Sequence, residues 1–302
     1  MLSSTASDNS IGLIGAGAVG TLFAAAFCHT HKPFIWVVRN PQRRQELDAL
    51  RMVVGEQQLK LALKTATIVD SIQDLPSTNW LVLAVKAHQV QPLVDQLQQP
   101  AVNLLVVANG LHDLAVHLGL LYGGALVADG RLITTTSNEL LIGALPGASG
   151  DPGVLPDVLA APWLQASISD VIRARMWHKL ALNCAVNPLT ALLDCPNGVL
   201  LDSVTSPLIQ GVLTEVDAVA RRELGKQWPN STRGLTADLH ALIEATADNS
   251  SSMREDLRAG RETEIARLNL AVAAAGLRHG LPCPLNDKLG NMVSLLANRG
   301  TP

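Results

Sequence analysis

The order of apolar and polar positions changes character about halfway along this chain. In the first half, short continuous apolar runs alternate with segments of helical spacing, a pattern typical of parallel strands covered on both faces. A partly alternating segment and a region rich in turn signals indicate additional strands. The first predicted strand begins at Ile11. The others lie in Phe34–Val38, Gln57–Val69, Trp80–Val85 and Val102–Ala108, and two or three short strands lie in Gly123–Gly143.

The repetition of strand, helix and strand predicts an α/β fold, in which an N-terminal Rossmann-type domain with a parallel sheet precedes an all-helical C-terminal domain. Strand patterns stop near Asp170, and helical spacing of Ala, Leu, Arg and Glu continues to the end. The Gly/Pro-rich stretch Ala144–Pro156 is expected to be a surface loop. We therefore predict a disordered leader over residues 1–10, a Rossmann domain over 11–169 and a helical domain over 170–302.

Composition narrows the possible partners. The 302 residues are 48% hydrophobic and only 16% charged, which excludes an intrinsically disordered chain. With 23 basic and 26 acidic residues the net charge is −3, so we expect no basic surface for nucleic acid or an anionic membrane. No apolar run reaches the roughly 18 residues that span a bilayer. A small-molecule partner is the remaining expectation.

Cysteine and histidine usage bears on location and metals. The four cysteines are far apart and form no Cys-x-x-Cys pair, as is typical of a reducing compartment. The polar N-terminus lacks the basic and apolar segments of a signal peptide. The eight histidines are scattered, without acidic or cysteine ligands at useful spacing. These features predict a cytoplasmic protein without a metal site.

A glycine-rich turn follows the first predicted strand and precedes a helix, as in the dinucleotide-binding fingerprint. The first glycine would permit the tight turn, the second would let a pyrophosphate approach the backbone, and the third would let the helix pack on the strand. The alternative is a glycine-rich turn that binds nothing. The predicted cofactor-binding residues of this turn are Gly15, Ala16, Gly17, Ala18, Val19 and Gly20.

The end of the second strand indicates which dinucleotide is preferred. NAD sites usually place a carboxylate there for the ribose 2′-hydroxyl, whereas Arg39 and Asn40 stand here. A guanidinium suits a 2′-phosphate, so NADP is predicted, with Arg39 as its main ligand. Arg43 and Arg44 are alternatives, although each would equally fit a solvated helix face.

Two further residues follow predicted strands at the edge where open α/β sheets bind ligands. Lys86 comes directly after Trp80–Val85, and Asn109 comes directly after Val102–Ala108. Taken alone, a surface lysine and an ordinary Asn-Gly turn would explain them as well.

In the helical half, a polar stripe crosses an otherwise apolar helix. Lys179, Asn183 and Asn187 are spaced i, i+4 and i+8, so they share one face. A solvent-facing stripe would usually carry more charge than one ammonium and two amides. The wall of a binding cleft fits better, and a partly desolvated lysine suits a general acid that protonates a developing alkoxide.

A second polar constellation lies downstream. Serines in Asp248–Met253 precede a segment that contains Arg261, Glu264 and Arg267. Ser252 and Glu264 are candidate site residues. In the simpler interpretation the serines cap a helix, and Glu264 pairs with Arg261 or Arg267.

Together these motifs resemble the ketopantoate reductase (2-dehydropantoate 2-reductase) family. The resemblance runs from about Ile11 to the final helix and includes GLIGAGAVG, LAVKA, VANG, HKLALNCAVNPLTALLDCPNG and NSSSMREDLRAGRETEI. It implies NADPH-dependent reduction of 2-dehydropantoate, a 2-oxo acid, to (R)-pantoate, a step of pantothenate and coenzyme A synthesis.

The resemblance also implies a role for each matching residue. Lys179 would be the general acid, and Glu264 would be the second catalytic residue, which helps to bind or orient the substrate. Arg39 would receive the 2′-phosphate, and Lys86 would lie on the cofactor side. Substrate contacts are implied for Asn183, Asn187 and Ser252, and contacts with both substrate and nicotinamide for Asn109.

The chain departs from the family pattern in one region. A run of threonines followed by a histidine is common in relatives, whereas the corresponding segment around Gly123–Asp129 is shorter by a few residues. This difference leaves open a paralogue that reduces another branched 2-oxo acid. A non-catalytic NADPH-binding module is the third alternative, and the sequence is compatible with a monomer or a homodimer.

Overall fold

A computed structural model describes residues 10–60, 63–97 and 103–299, and the chain divides into two compact units. The first unit contains residues up to 108 together with 113–172, and the second contains 109–112 together with 173 onward. The assignment of 109–112 to the second unit was not predicted. The leader predicted over 1–10 lies outside the described residues apart from Ser10, as does Val102 of a predicted strand.

The first unit is mixed α/β. Its helices are α1 (Ala18–His29), α2 (Pro41–Ala49), α3 (Ala87–Gln96) and α4 (Val154–Leu159). Its strands are β1 (Ile11–Ile14), β2 (Phe34–Val37), β3 (Arg51–Val54), β4 (Gln57–Lys60), β5 (Ala66–Val69), β6 (Trp80–Leu83), β7 (Asn103–Val106), β8 (His117–Tyr122), β9 (Ala125–Ala128), β10 (Arg131–Thr134), β11 (Asn138–Ala144) and β12 (Leu164–Ile168).

Eight of these strands form one sheet in the order β12-β11-β8-β7-β6-β1-β2-β5. Neighbours from β5 to β8 are parallel, whereas β11 is antiparallel to β8 and parallel to β12. A second sheet has the order β4-β3-β10-β9. Strand β1, in the middle of the parallel part, is buried along its whole length and packs in a core with Phe23, Phe27 and Trp36. The predicted Rossmann-type sheet is confirmed.

Two details differ from the sequence-based prediction. Strands β3, β8 and β12 were missed; β12 pairs only with β11 and leaves Gln165 and Ile168 exposed, so it lacks a continuous apolar run. The loop predicted over Ala144–Pro156 was wrong at its end, because α4 begins at Val154. Pro156 lies in the first turn of that helix, where an amide N–H has no helical partner anyway.

Every regular element among the described residues of the second unit is a helix, which confirms the all-helical prediction. Helix α6 contacts α7, α9 and α10, and it buries Val212, Val216 and Val219. Its helices are α5 (Ile172–Leu193), α6 (Ser206–Leu224), α7 (Thr232–Ala245), α8 (Ser252–Arg258), α9 (Asn269–Arg278) and α10 (Pro284–Arg299). Within the described part of the chain, none of the helices has both the length and the apolar character needed to span a membrane.

Candidate active site

The glycine turn between β1 and α1 assigns different roles to its three glycines. Gly15 has φ +116°, and a Cβ there would lie 2.1 Å from the backbone oxygen of Ala84. A Cβ at Gly20 would lie 2.0 Å from the backbone oxygen of Gly15. By contrast, a Cβ at Gly17 would meet no described atom within 4 Å. Gly15 and Gly20 therefore serve backbone packing, and the space beside Gly17 fits a pyrophosphate that approaches the main chain.

Helix α1 begins at Ala18, directly after this turn. Its N-cap residue is Gly17, and no side chain among the described residues caps the helix. The first amide N–H groups of a helix have no partner within the helix and carry a partial positive charge. The start of α1 therefore offers hydrogen-bond donors suited to phosphate oxygens.

Arg43 on α2 braces the glycine turn. Its Nε donates to the backbone oxygen of Ala16 at 2.9 Å, and a terminal nitrogen donates to Oγ1 of Thr21 at 3.1 Å. The indole Nε1 of Trp36 donates to the backbone oxygen of Gly15 at 3.0 Å. Two of these bonds hold backbone oxygens of the turn, and the third joins Arg43 to helix α1, so the Arg43 side chain has a structural task.

The other two candidate arginines near β2 differ in their contacts. Arg44 forms an ion pair with Asp70. Arg39 follows the end of β2, is exposed, and forms no hydrogen bond or ion pair with any other described residue. Of the three arginines, Arg39 is therefore the one whose guanidinium is available to a ligand. Lys86, the other predicted cofactor residue, is the half-buried N-cap of α3, just after β6.

Lys179 lies on α5 in the second unit and is half-buried. Burial lowers the pKa of its ammonium from 10.5 to about 8, and attraction by the Glu264 carboxylate partly opposes that shift. A lysine with a pKa of about 8 remains mostly protonated at neutral pH yet releases its proton readily, as a general acid must.

Glu264 is buried, with 6% of its surface exposed, just before a short 3-10 helix (Ile265–Arg267). Its Oε2 accepts a hydrogen bond of 2.9 Å from Nδ2 of Asn109. Asn109 is held there because Leu111 N donates to the backbone oxygen of Arg267 at 3.1 Å. Gly110 lets the two backbones meet: its φ is +94°, and a Cβ would lie 2.4 Å from that same oxygen.

The simpler interpretation of Glu264 as an ion-pair partner of Arg261 is wrong. Arg261 instead pairs with the buried carboxylate of Asp256, at 3.0 Å. Arg267 meets Glu264 through the backbone, where its N–H donates to the Glu264 oxygen at 2.9 Å. The Glu264 carboxylate is thus hydrogen-bonded to Asn109 and close enough to Lys179 to affect its pKa.

The two amides of the α5 stripe have unused hydrogen-bonding groups. Asn183 is half-buried and Asn187 is 7% exposed, and neither side chain hydrogen-bonds to another described residue. Buried amides normally find partners. Their arrangement beside Lys179 therefore fits a polar ligand.

Two serines at the start of α8 have different roles. Ser251 is the N-cap: its Oγ accepts from Arg254 N at 3.2 Å and from Thr190 Oγ1 on α5 at 2.7 Å. Ser252, the predicted site residue, is the first residue of α8, and its side chain is exposed. The helix-cap interpretation therefore holds for Ser251. Within the described ranges, no three His, Cys, Asp or Glu side chains are grouped so as to hold a metal ion.

The open, largely parallel sheet, its glycine turn and the lysine–carboxylate pair of the second unit define a nicotinamide-dependent oxidoreductase. The family is also clear from sequence comparison. Residues 11–135 match the ketopantoate reductase PanE/ApbA family, and residues 171–297 match the ketopantoate reductase PanE/ApbA C-terminal domain. The chain belongs to the ketopantoate reductase PanE/ApbA family.

Individual relatives agree with this assignment. A 2-dehydropantoate 2-reductase of Shigella flexneri is 32% identical over 295 residues, which cover 94% of this chain and 93% of the relative. The corresponding protein of Archaeoglobus fulgidus is 27% identical over 93% of this chain and 95% of its own length.

Solved structures share the fold. A PanE/ApbA family ketopantoate reductase from Ralstonia eutropha JMP134 superposes with a TM-score of 0.81 at 25% identity, over 96% of this chain and 99% of the other. A D-mandelate dehydrogenase in complex with NADH and anilino(oxo)acetate has a TM-score of 0.83 at 20% identity, over 96% and 98% of the two chains. At that identity the second match shows only that the fold is shared.

Proposed function

We propose that this protein reduces 2-dehydropantoate to (R)-pantoate with NADPH, as a step of pantothenate and hence coenzyme A biosynthesis. The observation that carries the proposal is the pairing of Lys179, whose pKa is lowered to about 8, with a buried Glu264 held by Asn109. The names of the curated relatives, 2-dehydropantoate 2-reductase, support the choice of substrate.

Lys179 acts as the general acid. A reduced nicotinamide, when bound, would supply the hydride for the ketone carbon, so that negative charge would develop on the carbonyl oxygen. The Lys179 ammonium stabilises that negative charge and then donates its proton to the oxygen. Its lowered pKa reduces the free-energy difference of that transfer, while the Glu264 carboxylate keeps the ammonium protonated at neutral pH.

Glu264 and Asn109 act as a unit in this scheme. The Glu264 carboxylate accepts a hydrogen bond from Asn109, which fixes the direction of its second oxygen. A substrate hydroxyl is a suitable donor to such a carboxylate. Glu264 thus orients the substrate as well as setting the charge of Lys179.

The α5 amides and Ser252 provide neutral contacts for a small anionic substrate. Asn183 and Asn187 offer donors and acceptors that no described residue uses, and Ser252 offers an exposed hydroxyl. Neutral groups can orient a carboxylate and a hydroxyl without competing with the charge of Lys179.

The cofactor would be held by residues of the first unit. The pyrophosphate fits the open space at Gly17 and the first N–H groups of α1, within the turn from Gly15 to Gly20. The available guanidinium of Arg39 fits a 2′-phosphate, which favours NADPH over NADH. Lys86 would provide a further positive charge beside β6.

The test is NADPH oxidation by the purified protein with 2-dehydropantoate, beside 2-oxoisovalerate and an NADH control. Fast turnover only with 2-dehydropantoate and NADPH is the expected result. Turnover of 2-oxoisovalerate in preference would identify a paralogue for another branched 2-oxo acid, which the shortened Gly123–Asp129 segment left open. Binding of NADPH without turnover of any 2-oxo acid would indicate the non-catalytic alternative.

Four points stay predictions from the sequence: the domain limits at residues 10 and 169, the oligomeric state (monomer or homodimer), the cytoplasmic location and the lack of a nucleic-acid partner.

A further inference from the structure

Helix α5 carries a backbone gap inside the polar stripe. Pro188 lies within this helix and has no amide N–H, so the carbonyl of Cys184, four residues earlier, cannot receive its usual helical hydrogen bond. A proline ring at this position also crowds that carbonyl. Cys184 is fully buried, so water cannot reach it from solvent to replace the missing bond.

The missing donor comes from another helix. Nδ2 of Asn269, the first residue of α9, donates to the Cys184 carbonyl oxygen at 2.9 Å and to Oδ1 of Asn286 at 3.0 Å. Asn286 Nδ2 in turn donates to Oε2 of Glu215 at 2.8 Å. Because Asn269 faces two acceptor oxygens, its amide is needed as a donor. The side chain is 0% exposed.

The position of this gap matters for the stripe. Lys179 and Asn183 precede Cys184, and Asn187 follows it, so the helical trajectory through the gap sets how the three side chains share one face. Prolines inside helices kink them where the i to i−4 bond is lost. A donor that bonds the Cys184 carbonyl oxygen restricts how far α5 can bend at this point.

We propose that Asn269 is a positioning residue for the site, which fixes α5 at its proline gap and so holds Asn187 in line with Lys179. This inference rests on the proposed function, because it assigns Asn187 to substrate binding. Asn269 itself acts through the Cys184 carbonyl.

The test compares the wild type with Asn269→Leu, Pro188→Ala and the double variant. Asn269→Leu keeps a similar volume but removes the donor, and we expect KM for 2-dehydropantoate to rise about tenfold while the Kd of NADPH stays unchanged. Pro188→Ala restores an N–H that can bond the Cys184 carbonyl within the helix. The double variant should therefore return KM to within about twofold of the Pro188→Ala value.

A purely structural role predicts no such rescue, because the restored N–H does nothing for Asn286. Equal KM increases for Asn269→Leu in both backgrounds would overturn the proposal. A double variant that fails to fold would also overturn it, since the damage would then lie at Asn286. If Asn269→Leu alone fails to fold and the double variant folds with a near-normal KM, the proposal is supported.

The thermal unfolding midpoint separates this proposal from the proposed function. A smaller fall in Tm for Asn269→Leu in the Pro188→Ala background than in the wild type shows that the contact acts on the carbonyl. If that coupling is present but the wild type turns over no 2-oxo acid, the proposed function fails and Asn269 merely stabilises α5. If turnover is normal and neither Tm nor KM shows coupling, the Asn269 inference fails alone.

Discussion

The side-chain amide of Asn109 donates to the carboxylate of Glu264 at 2.9 Å, although the two residues are 155 positions apart in the chain. Both residues belong to the second unit, in which the bond joins the segment 109–112 to the polar cluster around Glu264. A charged acceptor makes the bond stronger than a neutral one. The relationship makes Asn109 a determinant of the direction of the Glu264 carboxylate.

Asn109→Asp should therefore impair catalysis in a pH-dependent manner. It would place a second carboxylate beside Glu264, and like charges at that distance raise the pKa of one of them. We expect kcat/KM to fall about 100-fold at pH 7 and to recover partly toward pH 5, because protonation of one carboxyl restores a donor. Asn109→Ala is the matched control: it loses the donor without adding charge. Identical pH profiles for the two variants would contradict this account.

Lys179→Ala should remove the general acid and leave cofactor binding intact. We expect kcat to fall about 1,000-fold, because proton donation by a positioned group contributes on the order of 10²–10⁴. The Kd of NADPH, measured by fluorescence titration, should change less than about twofold. Lys226→Ala removes an exposed lysine elsewhere in the helical unit and should behave as wild type. Weakened NADPH binding with preserved turnover would refute the role.

The pH dependence of turnover should follow Lys179. The general acid works only while protonated, so kcat should decline as pH rises through about 8. Because Glu264 raises the pKa of Lys179, Glu264→Gln should move this decline to lower pH. If kcat declines at the same pH in the wild type and in Glu264→Gln, Glu264 does not affect the pKa of Lys179.

The free energy of unfolding should change in the opposite sense. The unfolded chain holds the Lys179 proton more tightly than the folded chain, so the destabilising contribution of this group diminishes as pH rises from about 8 to 10.5.

Arg39→Ala should narrow the preference for NADPH over NADH. Loss of a guanidinium–phosphate contact is expected to reduce the ratio of the two kcat/KM values by about 10–100-fold, mainly through KM for NADPH. Arg44→Ala is the control, because Arg44 pairs with Asp70 and should leave the ratio unchanged. A shift with Arg44→Ala and none with Arg39→Ala would reassign the 2′-phosphate contact.

Gly17→Ala and Gly20→Ala should have different effects although they lie three residues apart. A Cβ at Gly17 meets no described atom within 4 Å, so Tm should be nearly unchanged while NADPH binds more weakly. A Cβ at Gly20 would lie 2.0 Å from the Gly15 oxygen, so Gly20→Ala should lower Tm or prevent folding. Thermal unfolding with and without NADPH distinguishes the two. Unchanged NADPH affinity in Gly17→Ala would exclude the pyrophosphate from that space.

Local patterns predicted strands β1, β2 and β6 of the central sheet well because these strands are almost entirely buried. The apolar runs of β1, β2 and β6 are continuous, and each strand appears where the run predicts it. Strand β12 was missed because it has an exposed face and depends on its pairing with β11. Such strands are specified by tertiary pairing more than by their own residues.

For the site, helical spacing was enough to place Lys179, Asn183 and Asn187 on one face. Sequence could not reveal that Asn109 contacts Glu264, since no local pattern connects residues so far apart. Sequence also could not show that Arg43 hydrogen-bonds to Ala16 and Thr21 whereas Arg39 is available to a ligand, because the two residues have the same side chain. The Asn269 contact with Cys184 had one visible signal, a proline within a helical segment, which predicts an orphan carbonyl but not its partner.

The hydrogen bonds from Arg43 and Trp36 to the glycine turn have a thermodynamic consequence. They hold the backbone oxygens of Ala16 and Gly15 by contacts within the protein. A loop whose shape is already fixed loses little conformational entropy when it is occupied, so more of the intrinsic phosphate interaction is retained as affinity. The Arg43 guanidinium thus helps to make the turn a preorganised receptor, while its own charge is paired with the Glu46 carboxylate 3.1 Å away.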